Sequence, residues 1–297
     1  MPSVSENRAF WDSDHGWLHA AEIWSSMWGS PEAQWHGTIL PRIYHFLPAP
    51  TILEIATGMG RWTHFLINSC NRLIGVDLAA RCVEGCRARF AGDEHVSFFQ
   101  NNGRSLEMIE DRSVDFAFTF DSLVHVDEAT LSSYVKELAR TLKPEGVAFI
   151  HHSNLGTYGP VGQFLAGVRS RLPQAHGGGR SRDDSPTPVG GGPASRIKNY
   201  SWRPALTLSP NWRDPGPSAA TFVAVCQEAG LHCIGQELVP WDSGHYLIDC
   251  FSTIARAGSK WDRPLRVVRN PEFVYEGRSV RNYRPAYEPP APSPPEG

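Results

Sequence analysis

The sequence predicts an α/β protein with a seven-stranded, mostly parallel sheet and helices on both faces. Short apolar runs typical of buried strands alternate with helical patterns from about residue 51 to residue 152. Because strands that alternate with helices form parallel sheets, this order predicts a parallel core of five strands. Two further apolar runs near the C-terminal end bring the expected number of strands to seven, and we expect these two to be antiparallel.

The elements follow in a regular order along the chain. The predicted strands of the core are 51–57, 72–77, 96–100, 114–120 and 146–152. The helical patterns between them are 60–68, 79–90, 104–109 and 128–142. A turn at Pro144 and Gly146 leads into the fifth strand. Residues 218–229 then predict a helix that ends at Gly230, followed by strands at 231–238 and 246–255.

Composition divides the chain into five regions. Residues 1–48 form an expected N-terminal helical cap, in which Trp17, Trp24 and Trp28 share one helical face and Pro31 begins a second helix through about residue 45. This cap is interpreted either as helices that pack on the main domain or as a lid over its ligand. The other regions are the ligand-binding core 49–155, a flexible insert or lid 156–217, a C-terminal part of the core 218–256 and an extended proline-rich tail 257–297.

Composition also excludes several classes of partner. The chain has 297 residues and a net charge of −3, with no long basic run, so we expect no nucleic-acid partner. No apolar run approaches the roughly 20 residues of a membrane span, and the N-terminus lacks the apolar core of a signal peptide. The six cysteines form no CxxC pair, so we expect reduced thiols and a cytoplasmic location. The oligomeric state stays open.

A glycine turn and an acid point to a nucleoside cofactor. Gly58 and Gly60, directly after the first strand, let the backbone approach a ligand closely. Asp77 ends the second strand, where a carboxylate accepts hydrogen bonds from two ribose hydroxyls. A helix N-cap is the alternative role for Asp77, and one side chain can serve both.

The order of these features resembles the class I S-adenosylmethionine-dependent methyltransferases, which have a Rossmann-like fold. The resemblance covers residues 40–155 and, more loosely, 218–256. It implies S-adenosylmethionine as the cofactor. The family usually has a glycine where this chain has Ala56. The motifs that carry the resemblance are 54–60 (EIATGMG), 101–105 (NNGRS), 120–125 (FDSLVH) and 142–146 (LKPEG).

The resemblance implies a set of cofactor-binding residues. Glu54 is expected near the ammonium group of the cofactor, or as an organiser of the loop. Asn102 is expected to bond the adenine amino edge beside Gly103, with a plain Asx turn as the alternative. Asp121 and Leu123 are expected at the methionine end. The full set is Glu54, Ala56, Gly58, Gly60, Asp77, Leu78, Asn102, Gly103, Asp121 and Leu123.

Methyl transfer is an in-line displacement in which an amine or hydroxyl acceptor also loses a proton. His152, at the end of the fifth strand, is the first candidate for the base. Since strand residues alternate between faces, we expect at most one of His151 and His152 to face the substrate. His125 is the second candidate, and Asp121 is expected to bind the acceptor or to orient a histidine.

The expected acceptor is a sugar. Residues 121–125 and 150–155 (IHHSNL) resemble bacterial methyltransferases of glycans and aminoglycosides, including the N-methyltransferase of gentamicin biosynthesis. This implies transfer to an amine or hydroxyl of a sugar or aminoglycoside in natural-product or glycan biosynthesis. We expect no metal, because Asp121 and Asp127 lack a third acid. The expected substrate-binding residues are Trp202, Arg203 and His245.

Three alternatives remain open. The first is a methyltransferase whose acceptor is another small polar metabolite. An NAD-dependent dehydrogenase also combines a glycine turn with an acid, although Thr63 stands where its third glycine is expected. A non-catalytic binding protein would use the aromatic N-terminal region and the proline-rich tail to hold a partner.

Overall fold

A computed structural model describes residues 3–13, 24–159, 213–241 and 246–283. Its sheet has eight strands in the order β3-β2-β1-β4-β5-β7-β6-β8, one strand more than the sequence predicts. The strands β1 to β5 are parallel, β7 is antiparallel to both β5 and β6, and β8 is parallel to β6. The bounds are β1 Ala49–Ile55, β2 Cys70–Asp77, β3 Val96–Gln100, β4 Val114–Leu123, β5 Leu142–Ser153, β6 Leu231–Val239, β7 Asp249–Arg256 and β8 Arg266–Arg269.

Helices cover the sheet on both faces. The short α2 and α3 are joined by a π-helical turn, Trp35–Ile39, and form the helix predicted from Pro31 onward. Within the described ranges, none of the helices has the length and apolar character needed to cross a membrane. The α-helices are α1 Val4–Trp11, α2 Pro31–Gln34, α3 Leu40–Ile43, α4 Thr63–Leu66, α5 Ala80–Arg89, α6 Glu128–Thr141, α7 Ala219–Glu228 and α8 Phe273–Tyr283.

The helix predicted at 104–109 is wrong. This segment is a series of turns, and Arg140 of α6 donates hydrogen bonds to the carbonyl oxygens of Leu106 and Ile109. Glu137 of the same helix accepts the Leu106 N–H. Since side chains of α6 satisfy these backbone groups, the segment needs no helix of its own.

The prediction of an extended tail is wrong for residues 257–283. Here the chain forms β8 and α8, and Phe273 of α8 is fully buried against Trp28 and Trp241. Arg42 of α3 bonds both Glu237 of β6 and Glu276 of α8. A proline-rich composition describes only the residues beyond 283, which lie outside the described ranges.

The N-terminal region does not form the two long helices that the sequence predicts. Trp24 lies in a short 3₁₀ segment, and Trp28 lies in the turn that follows it, next to Gly29, whose φ is +91°. Trp28 is nevertheless fully buried, and its indole N–H donates to Thr38. Trp17 lies outside the described residues, so the shared helical face is not tested.

The two ends of the insert predicted at 156–217 lie next to each other in the structure. The N–H of Gly156 donates to the carbonyl of Pro217, at a distance of 2.8 Å. A side chain at Gly156 would collide with the Gly216 carbonyl. The segment between these ends lies outside the described residues, apart from 157–159 and 213–216.

The sheet reverses its strand order between β1 and β4. The chain runs from β1 outward to β3 and then returns to the other side of β1 with β4. In open α/β sheets such a switch point leaves a crevice at the carboxyl ends of the two strands, and ligands bind there. The fold therefore places the expected site beyond Ile55 and Leu123.

Candidate active site

A cleft of about 890 Å³, counting its opening to solvent, lies at this switch point. Its floor is the turn that follows β1, and its sides come from the ends of β2 and β4. Helix α1 contributes a further wall through Val4, Asn7 and Trp11. Of the residues predicted to bind the cofactor, those that line the cleft are Ala56, Gly58, Asp77, Leu78, Gly103, Asp121 and Leu123.

The turn after β1 uses three left-handed residues. The φ angles are +62° at Ala56, +54° at Gly58 and +77° at Gly60. Glycine adopts this conformation without strain, whereas an alanine does so at a cost of roughly 1 kcal/mol. Ala56, the departure from the family pattern, therefore keeps the glycine conformation. Gly60 does not line the cleft, and a Cβ there would come within 2.5 Å of the Phe90 ring.

Asp77 joins the turn to the second strand. Its carboxylate accepts the N–H of Gly58 and the N–H of Ala79, each at 2.8 Å. Burial raises the pKa of Asp77 to about 6, although the two backbone hydrogen bonds lower it. A largely ionised acid facing the cleft at neutral pH suits a ligand that donates hydroxyl hydrogen bonds, and the helix-start role is present as well.

Glu54 does not line the cleft. It is buried behind the turn, where it accepts a hydrogen bond from the hydroxyl of Thr63 at the start of α4. Burial raises the pKa of Glu54 to about 8. Of the two roles expected for Glu54, the structure contains the organiser of the loop. The expected place beside an ammonium group has no support here, because Glu54 is not among the residues that line the cleft.

The expectation for Asn102 is corrected in the same way. Asn102 is exposed and does not line the cleft, and its Oδ1 accepts the N–H groups of Arg104 and Ser105 in an Asx turn. The preceding Asn101 is buried and donates to the Tyr134 hydroxyl. Gly103, with φ +82°, does reach the cleft beside Val4 and Leu78.

Asp121 is the acidic residue at the end of β4. It lies in the left-handed region with φ +59°, and Arg61 donates to its Oδ2 at 3.1 Å. Arg61 also stacks on the Trp62 ring, 4.4 Å from its centroid. Arg61 was missed as a site residue, although it follows directly on the glycine motif.

His152 is wrong as the catalytic base. It is fully buried on the face of β5 opposite the cleft, where it stacks on Phe222 of α7. Its two ring nitrogens lie 2.8 Å from the Ser153 carbonyl and the Ser252 hydroxyl. Burial lowers the pKa of His152 to about 4. His151 instead points toward the end of β4, and His125 lines the cleft itself.

Helix α1 covers one side of the cleft. Ser3 and Glu6 form a capping box, a pattern of Ser followed three residues later by Glu that predicts this helix from sequence alone. Trp11 lies 5.5 Å from Trp24 and 5.9 Å from His125, measured between ring centroids. Trp11 and Trp24 were not predicted as site residues, whereas His125 was, and the contacts among the three favour the lid interpretation of the N-terminal cap.

Other expectations lie outside the described residues or concern metals. The predicted substrate-binding residues Trp202, Arg203 and His245 are among those not described. In the described part of the chain, no group of three or more His, Cys, Asp and Glu side chains is arranged to hold a metal ion.

The cleft fits an adenosyl cofactor in its shape and in its donor set. Gly103 sits where a Cβ would come within 2.9 Å of Val4, so the end of β3 makes a narrow apolar slot with Leu78. Asp77 offers the only carboxylate of β2 to hydroxyl groups, next to the backbone of Gly58. Asp121 and Arg61 supply opposite charges at the far side.

Comparison with known proteins agrees with this geometry. Residues 52–146 match the family model described as "Methyltransferase domain". Phosphoethanolamine N-methyltransferase 1 of Triticum aestivum is 28% identical over 119 residues, which is 38% of this chain and 24% of that enzyme. The chain thus spans about a quarter of the length of this curated relative.

Solved structures show the same fold. A protein of Pyrococcus horikoshii OT3 has a TM-score of 0.51 and 14% identity, with 84% of this chain and 99% of that chain covered. A protein of Galdieria sulphuraria, provisionally assigned as a sarcosine dimethylglycine methyltransferase, has a TM-score of 0.50 and 13% identity, with 76% and 85% covered. Residues 52–146 therefore match a methyltransferase domain, and the sheet as a whole has the Rossmann-like fold of these solved structures.

Proposed function

We propose that the chain transfers the methyl group of S-adenosylmethionine to an amine or hydroxyl of a sugar or aminoglycoside, in natural-product or glycan biosynthesis. An amine is the favoured acceptor. The observation that carries the proposal is the composition of one cleft. The glycine turn, Asp77 and Asp121 form one side of it, while Trp11, Trp24 and His125 form the other.

The residues of the first side each bind a different part of the cofactor. Asp77 takes the ribose hydroxyls, and the slot between Leu78 and Gly103 takes the adenine. The Arg61–Asp121 pair, 3.1 Å apart, complements the carboxylate and ammonium of the methionine end. When bound, S-adenosylmethionine supplies a methyl group on a positively charged sulfur, whose bond to carbon breaks as the acceptor attacks.

The residues of the second side suit a sugar that carries amines. Indole faces pack against the apolar faces of sugar rings and attract ammonium groups. Trp11 and Trp24 meet edge to face and wall the cleft above Asp121.

His125 is the proposed base. An acceptor nitrogen forms its new bond to carbon with its lone pair and must give up a proton, and imidazole removes protons well near neutral pH. The ring of His125 borders the cleft next to Trp11. The indoles and helix α1 exclude water around the reacting atoms, which keeps the displacement free of hydrolysis.

A second candidate is a small amine metabolite without a sugar. The likeness of 119 residues to an enzyme named phosphoethanolamine N-methyltransferase favours it. Both candidates share the cofactor site and differ only in the acceptor.

The test is a panel of acceptors incubated with S-adenosylmethionine and analysed by mass spectrometry for a gain of one methylene unit. The panel contains aminoglycosides, nucleotide sugars, phosphoethanolamine and sarcosine. Methylation of an aminoglycoside or a nucleotide sugar, lost in Asp77→Ala, supports the proposal. Methylation of phosphoethanolamine or sarcosine alone supports the second candidate. Calorimetry that detects no binding of S-adenosylhomocysteine would overturn both.

A further inference from the structure

A buried histidine connects Asp121 to an ion pair behind the cleft. The backbone N–H of Asp121 donates to Nδ1 of His151 at 3.0 Å, and Nε2 of His151 lies 3.2 Å from Oδ2 of Asp249. Both His151 and Asp249 are fully buried. Asp249 is held in turn by Arg213, with bonds of 3.1 and 2.9 Å to its two oxygens.

The contacts fix which nitrogen of His151 carries the proton. Because Nδ1 accepts the Asp121 N–H, it has no proton, and the ring proton sits on Nε2, toward Asp249. Burial raises the pKa of Asp249, but Arg213 and His151 outweigh it and hold that pKa well below its usual range. Asp249 therefore stays a carboxylate close to Nε2, and although the two atoms do not have the geometry of a hydrogen bond, its charge favours the tautomer that the Asp121 N–H selects.

Aromatic rings hold the histidine in place. The His151 ring lies 4.9 Å from Phe120, 4.7 Å from Phe251 and 5.2 Å from Trp241. Arg213 stacks over the same Trp241 ring, and its Nη2 lies 3.9 Å from Oδ1 of Asp121. Arg213, Asp249, His151 and Asp121 thus form a closed ring of contacts.

Asp121 needs such support because β4 is irregular at this point. Thr119 pairs with Ile150 and Leu123 with His152, so four steps along β4 match two steps along β5. The extra residues lie outside the regular ladder, and Asp121 takes a left-handed φ of +59° that non-glycine residues rarely adopt. The His151 side chain replaces the strand carbonyl that would otherwise accept the Asp121 N–H.

We propose that His151 is a positioning residue, which holds Asp121 in this conformation so that its carboxylate faces the methionine end of the cofactor. The Asp121 N–H selects the tautomer of His151, and the charge of Asp249, held by Arg213, favours the same tautomer. The inference rests on the proposed function in one respect, namely that Asp121 binds the cofactor.

Two substitutions separate positioning from stability. His151→Asn keeps an oxygen near the place of Nδ1, so it still accepts the Asp121 N–H, but it loses the contact with Asp249. His151→Phe keeps the ring shape and loses both contacts. If His151 only stabilises the fold, the two variants should behave alike in ligand binding, since each lacks the partner of Asp249.

Binding of S-adenosylhomocysteine, measured by calorimetry, provides the first readout. We expect His151→Phe to bind at least about tenfold more weakly than the parent and His151→Asn to stay within about threefold, since a bond to a charged group is at stake. Hydrogen exchange of the Asp121 amide provides the second readout. It should be slow in the parent and in His151→Asn, and fast in His151→Phe.

Equal affinities in the two variants, with the Asp121 amide equally protected, would overturn the inference. If His151→Phe does not fold, nitrogen NMR of the parent decides, because the inference requires a proton on Nε2 and none on Nδ1. The opposite tautomer would overturn it. A parent protein that does not bind S-adenosylhomocysteine defeats the proposed function, whereas the exchange and NMR measurements still judge the role of His151.

Discussion

The carboxylate of Asp77 accepts the backbone N–H of Gly58, so the acid that ends β2 also holds the turn that follows β1. A second hydrogen bond, from Ala79, ties the same carboxylate to the start of α5. Asp77 therefore shapes the floor of the cleft, and in the proposed function it also offers its charge to the ligand. Changes at Asp77 should affect binding and, to a smaller degree, stability.

Asp77→Ala should weaken the binding of S-adenosylhomocysteine at least tenfold. Bonds from two ribose hydroxyls to a carboxylate are lost, each worth roughly 1.5–3 kcal/mol. Calorimetry measures the affinity, and circular dichroism checks that the variant is folded. The exposed Glu94 provides the control, as Glu94→Ala removes an acid at a distance from the cleft. Unchanged affinity in folded Asp77→Ala would remove Asp77 from the ribose site.

The affinity for S-adenosylhomocysteine should fall in mild acid. Burial raises the pKa of Asp77 to about 6, so half of the Asp77 side chains in the ligand-free protein are protonated near that pH. Below it, most of them no longer offer a charged carboxylate to the ribose hydroxyls. We expect affinity to be constant above about pH 7 and to fall by up to about tenfold per pH unit below about pH 6. Asp77→Asn should bind weakly at every pH, without this slope. A parent protein with no slope between pH 7 and pH 5 would contradict the role of Asp77.

Glu54 should make the protein less stable as the pH rises. Burial raises the pKa of Glu54 from 4.5 to about 8, so the folded protein binds more protons than the unfolded chain between these values. The contribution of Glu54 is thus full below about pH 4.5 and is lost as the pH rises through about 8.

Glu54→Gln keeps an oxygen for the Thr63 hydroxyl and removes this titration. Urea unfolding at pH 5 and pH 9 measures this effect. Between these two pH values, the free energy of unfolding of the parent should fall by on the order of 2–4 kcal/mol more than that of the variant. Glu94→Gln, an exposed control, should follow the parent. Parallel pH profiles for parent and Glu54→Gln would show that Glu54 is not protonated in the folded state.

Two substitutions of opposite kind, alanine to glycine and glycine to alanine, test the strain in the turn after β1. Ala56→Gly relieves left-handed strain of roughly 1 kcal/mol but makes the unfolded chain more flexible by about the same amount, so stability should stay level or rise slightly. Gly58→Ala introduces the same strain and places a methyl group in the cleft, so it should lose about 1 kcal/mol of stability and bind the cofactor more weakly. Thermal unfolding and calorimetry measure the two effects. A loss of stability in Ala56→Gly would mean that the alanine methyl group contributes packing.

His125→Gln should lower turnover by about 10²–10⁴-fold with little change in cofactor affinity, if His125 removes the acceptor proton. For an amine acceptor the loss should shrink at high pH, where the amine deprotonates without help. Initial rates across pH, with the acceptor found in the panel, test this. A fully active His125→Gln enzyme would transfer the role to Asp121 or leave the reaction to positioning alone.

Sequence patterns predicted the parallel core because apolar periodicity and glycine turns depend on neighbouring residues. The same patterns predicted that Gly58 and Asp77 lie together at the edge of the sheet, where both line the cleft, and their contact with the cofactor stays a prediction. The choice between His151 and His152 was different: alternation shows that the two point to opposite faces, but both faces of β5 are covered, so no polarity pattern marks the cleft side. Arg61 and Asp249 were not recognised as partners because their contacts join residues far apart in the chain.

The strand order has a consequence for synthesis on the ribosome. β6 lies beyond β7 in the sheet, so it cannot join the core until β7 has left the exit tunnel and inserted next to β5. Trp28 is synthesised early, but its partner Phe273 emerges only when nearly the whole described chain has left the ribosome. The edge of β5 therefore stays unpaired until β7 is made, and Trp28 lacks its Phe273 contact for longer still, so this half-made domain is the form in which chaperones would meet the chain.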